Sequence, residues 1–251
     1  MDNIRALSAL FDLTIDELLE NQPSLTMRDH LYESVTEYDV DGEKSFDITF
    51  SGAREVTLVG YEGEKLQVRL FSDQVTGLPC VYKVKIDDIK KRIDVEMNRF
   101  HDLSETTAKE AVCILVRFPQ RYVKQVELAG NMEYLLLQEL NAESIEFSGK
   151  VSRVSLNGVT GHVELNSNED MTIFCESLTG RLDINQIAAT SRLLLPVSTS
   201  FASVTRGIAN SILYERDPAP AGEAAESSAI IVELNGMKSE LVIGTLASME
   251  G

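Results

Sequence analysis

Val126-Glu127-Leu128, Ile145-Glu146-Phe147, Val163-Glu164-Leu165 and Leu182-Asp183-Ile184 are four copies of one unit, an acidic residue between two apolar ones. A second set falls midway between them: Val154-Ser155-Leu156, Met171-Thr172-Ile173 and Leu193-Leu194-Leu195. Apolar side chains two residues apart lie on the same face of a strand, so each unit reads as a very short half-buried strand. Units of either set recur every 18 to 20 residues, with Gly130, Gly149, Gly158, Gly161 and Gly180 in the intervening turns. A repeat near 19 residues holding two short strands is the signature of a β-solenoid, whose coils stack at the strand spacing of about 4.8 Å. A β-sandwich of short antiparallel strands is the structural alternative. Even spacing and short units favour the solenoid.

Upstream, the same period of two runs through Phe46–Phe50, Val56–Val59 and Leu66–Leu70, with a turn at Gly60-Tyr61-Glu62-Gly63. Tyr82–Ile86 and Arg92–Met97 read as a strand pair around Asp87-Asp88, and Val112–Phe118 as a strand buried on both faces. Downstream, Phe201–Tyr214 is less regular, and Asp217–Ser228 has a loop composition rich in Pro, Ala, Gly and Glu. Ile230–Leu234 and Leu241–Ile243 flank Asn235-Gly236, a dipeptide typical of hairpin turns, and read as a final hairpin that caps the open end of the solenoid.

The chain has 251 residues and a formal charge of −17, which argues against binding DNA or an anionic membrane through its overall field. Cys80, Cys113 and Cys175 are widely spaced, with no zinc or redox spacing, and Cys113 and Cys175 sit in apolar runs as core residues do. This usage fits a reducing compartment. The N-terminus lacks the pattern of a signal peptide, and no stretch reaches the roughly 20 apolar residues of a membrane span. The expectation is a soluble, cytoplasmic chain.

No catalytic, cofactor-binding or metal-ligating set emerges. His30, His101 and His162 are far apart, and there is no nucleophile elbow, P-loop or dinucleotide fingerprint. Glu37–Glu43 mimics the start of a calcium-binding loop, but Ile48 stands where the bidentate Glu is required. Lys83, Lys85, Lys90, Lys91 and Arg92, with Arg117, Arg121 and Lys124, are interleaved with acids and read as strand-end charges rather than a nucleic-acid groove. Glu146, Glu164 and Asp183 stack into one outward column, where like charges repel. A carbohydrate-cleaving solenoid would need such a cluster, but catalysis is not the expectation.

The chain opens on a helical pattern. Ile4, Leu7, Leu10 and Phe11 share one helical face, and Thr14 with Glu17 forms a capping box before Leu18-Leu19. Two helices of this length cannot bury their apolar stripe alone. Leu7, Leu10, Phe11, Leu13, Thr14, Asp16, Glu17, Leu18 and Leu19 match the last two helices of the Xre-type, phage-repressor-like helix-turn-helix domain, which the segment resembles. In that family the DNA-reading helices come earlier, so they would lie upstream of Met1, and a truncated chain or an internal start is the expectation. The remainder resembles the putative-adhesin domain of unknown function that often follows such helices. The resemblance rests on Phe46-x-Ile48, Gly60-Tyr61-Glu62-Gly63-Glu64-Lys65-Leu66-x-Val68, Phe118-Pro119 before Val126, and the ladder to Leu195-Pro196. It implies a right-handed β-solenoid with no established activity.

Three segments follow: a remnant of the helix-turn-helix domain over 1–21, a linker or first irregular strand over 22–44, and a β-solenoid over 45–251. The expected function is non-enzymatic: sensing or oligomerisation within a cytoplasmic Xre-type regulator. A cell-surface or envelope adhesin-like protein is the alternative. The family resemblance implies a homodimer with contacts near Ile4, Leu7, Leu10, Phe11, Leu18 and Leu19, and DNA contact only through the missing segment.

Overall fold

A computed structural model describes residues 31–100, 103–215 and 230–246. The helical pair over 1–21, with Ile4, Leu7, Leu10, Phe11, Leu18 and Leu19, lies outside the described residues. Chain contacts separate Met1–Leu31 from Tyr32–Gly251, and the elements below belong to the second unit.

The chain is mainly β. Each coil of the stack places one strand in a front sheet and the next in a back sheet. The central coils begin with β8 (Val123–Gln138), whose 16 residues run through both sheets. They continue with β9 (Asn141–Lys150) and β10 (Arg153–Asn157), β11 (Val159–Asn166) and β12 (Thr172–Cys175), and β13 (Leu178–Ile187) and β14 (Thr190–Leu195). Every pairing between these coils is parallel, which is the ladder of a solenoid and not of an antiparallel sandwich. Partners in neighbouring coils are the repeated units themselves: Val126 faces Ile145, Ile145 faces Val163, and Val163 faces Leu182.

The alternation of each unit sends its apolar residues inward. Ile93, Phe46, Val126, Ile145, Val163, Leu182 and Val232 form one continuous column from the front sheet, and none is more than 2% exposed. Ile114, Val56, Leu135, Val154, Ile173, Leu193 and Ile243 form the facing column from the back sheet. Burying each such side chain contributes about 1.5–3 kcal/mol. The stack is therefore held by its columns, not by any single contact.

Chain order and stacking order diverge at both ends. Near the start, β2 (Lys44–Phe50) and β3 (Ala53–Tyr61) form a coil that sits between β8 and the coil made of β6 (Arg92–Arg99) and β7 (Cys113–Pro119). Antiparallel strands finish that end: β1 (Tyr32–Asp39) and β4 (Lys65–Ser72) on the back sheet, β5 (Tyr82–Ile89) on the front. At the other end β15 (Phe201–Thr205) and β16 (Ser211–Tyr214) make the outermost coil. The coil of β17 (Ile230–Met237) and β18 (Glu240–Thr245), later in the chain, is inserted between that coil and β13–β14.

This corrects the expected C-terminal hairpin. Asn235-Gly236 is not a hairpin turn: both residues lie inside β17, opposite Asn185 and Gln186. The corner falls later, at Lys238, whose φ is 55°. β17 and β18 do not pair with each other because each has a parallel partner on both sides. The turn between β5 and β6 is also later than read, at Lys90-Lys91, with Asp87 paired inside the hairpin opposite Asp94. In β7, Ile114, Val116 and Phe118 are buried, but Leu115 and Arg117 point outward and are half-buried, so that strand is not covered on both faces. The stretch read as a linker or irregular strand contains β1. Two short helices, α1 (Leu78–Val81) and α2 (Glu105–Ala111), span the connections around β5 and β6. Ser104 caps α2 by accepting from the Thr107 amide at 3.0 Å.

The cysteines give a test of the packing. Cys80 is exposed, whereas Cys175 is buried in the core column and burial pushes its thiol up to about 12. Burial also raises Cys113, opposed by the Arg54 guanidinium 3.1 Å from its sulfur. The thiolate is the reactive form. A thiol-reactive probe near pH 8 is expected to modify Cys80 within minutes and Cys175 only on unfolding, as intact-mass measurements over time would show. Early labelling of Cys175 would contradict this packing.

Candidate functional site

The outward positions of the front sheet form rows as continuous as the core columns. The acidic centres of the repeated units align as Asp94, Asp47, Glu127, Glu146, Glu164, Asp183 and Glu233, one per strand, with Asp87 of β5 opposite Asp94. The column read from sequence, Glu146–Glu164–Asp183, is its centre. At the strand spacing, adjacent carboxylates repel by about 0.8 kcal/mol even in water.

Two devices offset that repulsion. Beside the acids runs a row of small polar side chains ending in Asn166, Asn185 and Asn235. Asn166 donates to Glu146 at 2.9 Å, Asn185 to Glu164 at 2.7 Å and Asn235 to Glu233 at 2.9 Å. Asn185 also donates to the Asn166 side-chain oxygen at 2.6 Å, linking amides of successive coils. On the other flank, cations gather at the C-terminal end of the column. Arg181 bridges Asp183 at 2.5 Å and Glu233 at 2.6 Å, Arg206 meets Glu233 at 2.9 Å, and His162 lies 2.9 Å from Asp183. Asp183 and Glu233 are the buried members of the row, so partners are needed there most. Asp47 and Glu127 have no hydrogen bond or ion pair among the described residues.

The carboxylates stand side by side on a flat face. Retaining glycosidases also hold two carboxyl groups about 5–5.5 Å apart, but on the two sides of the bond they cleave. Nothing here encloses a bond between two of them.

A groove of about 870 Å³ runs along the corner where the front-sheet strands end. Its walls include Asn131, Lys150, Asn166, Asn185 and Asn235, with Ile187 as an exposed apolar contact. One corner connection, residues 167–171, is longer than those at 151–152, 188–189 and 238–239. It is pinned to the next coil because Asn168 accepts from the Ile187 amide at 2.9 Å and Asp170 from the Thr190 amide at 2.7 Å. The Lys150–Glu169 ion pair, 2.9 Å long and exposed, lies at this groove and is weak enough to open.

The other sequence candidates disperse. Glu37 accepts from Lys65 and Gln67, and Asp41 lies against Lys44, so the calcium-like stretch is engaged by lysines. Lys85 pairs with Asp87, Arg92 with Asp94 and Arg121 with Glu64, while Arg117 stacks on Tyr61 at 4.4 Å. His30 and His101 lie outside the described residues. The amide row was missed in the sequence reading although its signal is present: Val163-Glu-Leu-Asn166, Leu182-Asp-Ile-Asn185 and Val232-Glu-Leu-Asn235 are one motif.

No family model matches the chain. No curated protein matches it either. Among solved structures it is similar to a "putative cell adhesion protein" from Clostridium sporogenes, at 8% identity over 86% of this chain and 99% of that one, with a TM-score of 0.44. It is also similar to a "putative adhesin" from Bacteroides fragilis, at 9% identity over 87% and 99% of the two chains, with a TM-score of 0.39. A "putative lipid binding protein" from Parabacteroides distasonis matches at 9% identity over 86% and 97%, with a TM-score of 0.26. At these identities nothing about their ligands transfers to this chain.

Proposed function

We propose that this chain is a non-enzymatic recognition module, adhesin-like in its action, which binds a neutral polyhydroxylated ligand such as an oligosaccharide along the corner groove. The observation that carries this is the amide row. Asn166, Asn185 and Asn235 each present a donor and an acceptor at one level of successive coils, beside the apolar Ile187. Hydroxyl-rich ligands need paired donors and acceptors together with an apolar surface for their C–H faces. The carboxylates behind the row hold the amides in orientation by accepting from them. Right-handed winding belongs to the same proposal, because parallel strands joined through a crossover are overwhelmingly right-handed.

A panel of neutral oligosaccharides, screened against the protein and followed by calorimetry, tests the reading. Asn235→Ala and Asn185→Ala are expected to weaken binding about tenfold each, with ligand recovered uncleaved by wild type and by Glu164→Gln alike. Binding unchanged by both alanine variants, or hydrolysis abolished by Glu164→Gln, would overturn it.

A second reading is favoured by the Leu7–Leu19 string: the solenoid serves as the effector-sensing half of a cytoplasmic Xre-type regulator. Fractionation of the native cell distinguishes the two. Recovery with the cell wall supports the adhesin-like role, and recovery in the cytosol the regulator.

A further inference from the structure

We infer that two copies of this chain join end to end through the outer edges of β15 and β16. Among the described residues each of these strands is paired on one side only, β15 with β17 and β16 with β18. The two ends of the stack are built differently. At the first end the edge strands carry charge: Glu33, Glu37 and Asp39 on β1, and Lys83, Lys85, Asp87 and Asp88 on β5. Such charges blunt a sheet edge against further pairing. At the far end Phe201–Thr205 and Ser211–Tyr214 contain neither a charged residue nor a proline.

The same end is apolar. Val204, Ile208, Leu213 and Tyr214 are exposed there, with Ile231 and Met237 beside them on β17. Inside, the end is closed by Phe201 stacked on Tyr214 at 6.4 Å and by the Ser203 and Tyr214 hydroxyls 2.5 Å apart.

Charge selects a second copy as the occupant. With a net charge of −17, two copies brought together over their acidic faces repel, and the neutral far end is the surface where they do not. A two-fold axis perpendicular to the sheets sets β15 antiparallel to its counterpart and β16 likewise, continuing both sheets at once. With Ser203 opposite Ser203, Arg206 falls opposite Ser200 and Glu215 opposite Asn210, so no like charges meet. Each chain has one such end, so pairing closes the dimer and leaves only the blunted edges outward.

Sedimentation equilibrium of the whole chain between 1 and 100 µM tests this, with amide hydrogen exchange at both concentrations. The expected result is a dimer whose amides in residues 201–205 and 211–214 become protected as concentration rises. Val204→Lys with Leu213→Lys should weaken association about 100-fold, and Val35→Lys on β1 should leave it intact. A monomer at 100 µM would overturn the proposal. So would a dimer with no concentration-dependent protection of these amides, or one lost with Val35→Lys and kept in the double variant.

Discussion

Val232→Asp is expected to lower stability by at least about 4 kcal/mol, whereas Ile231→Asp, one residue away on the same strand, stays within about 0.5 kcal/mol of wild type. Val232 is fully buried in the front-sheet column between Leu182 and Ser203. A carboxylate there would have no partner and no water. Ile231 points outward beside Arg181, and a carboxylate at that position would face a guanidinium. For a chain of this size the loss corresponds to a fall of about 8–16 °C in Tm. The contrast tests the interleaved order of coils. If β17 were an outer capping strand, its inward residue would sit at a frayed end and the two variants would melt alike. Thermal and denaturant melts of both variants distinguish these outcomes.

The second large effect is expected at Gly161. Its φ is +129°, and a Cβ there would lie 1.9 Å from the Ala142 carbonyl oxygen. In the neighbouring coil Gly180 occupies the same level, and a Cβ on it would lie 2.3 Å from the Gly161 carbonyl. Both obstacles are backbone held in a parallel ladder, so they cannot swing aside as a side-chain end could. Gly161→Ala therefore combines backbone strain with overpacking and should cost about 3 kcal/mol or more. Gly42 provides the control, since no atom lies within 4 Å of its added Cβ. Gly42→Ala should be within about 0.5 kcal/mol of wild type. Denaturant midpoints of the two variants within about 0.3 M of each other would contradict the close approach of these coils.

Both effects arise from stacking, and they mark how far the sequence can be read. Val126-Glu-Leu and its successors alternate with period two, which fixes which side chains enter the core and which form the acidic row. The spacing of 18 to 20 residues fixes which residue stacks on which, because a coil returns to the same level after one turn. Strand, face, column and the placement of Glu146, Glu164 and Asp183 in one line were therefore legible from local pattern. The motif Val232-Glu-Leu-Asn235, identical to Val163-Glu-Leu-Asn166, even marks β17 as a further member of the row.

Only the tertiary structure decided which coil neighbours which. Val232 lies fifty residues beyond Leu182 yet is its direct partner, while Phe201–Tyr214, nearer in sequence, is pushed to the outside. The reason is a competition that no local signal records. Ser203 and Thr205 stand where β17 offers Val232 and Leu234, so β17 fills the core column better and takes the inner position. The same competition turns Asn235-Gly236 from a hairpin dipeptide into a strand end, and it brings the third amide up to the other two. Period and spacing are properties of the chain and can be read from it. The order of coils follows from which of two strands buries more apolar surface against β13, and that is settled only when both are present in the fold.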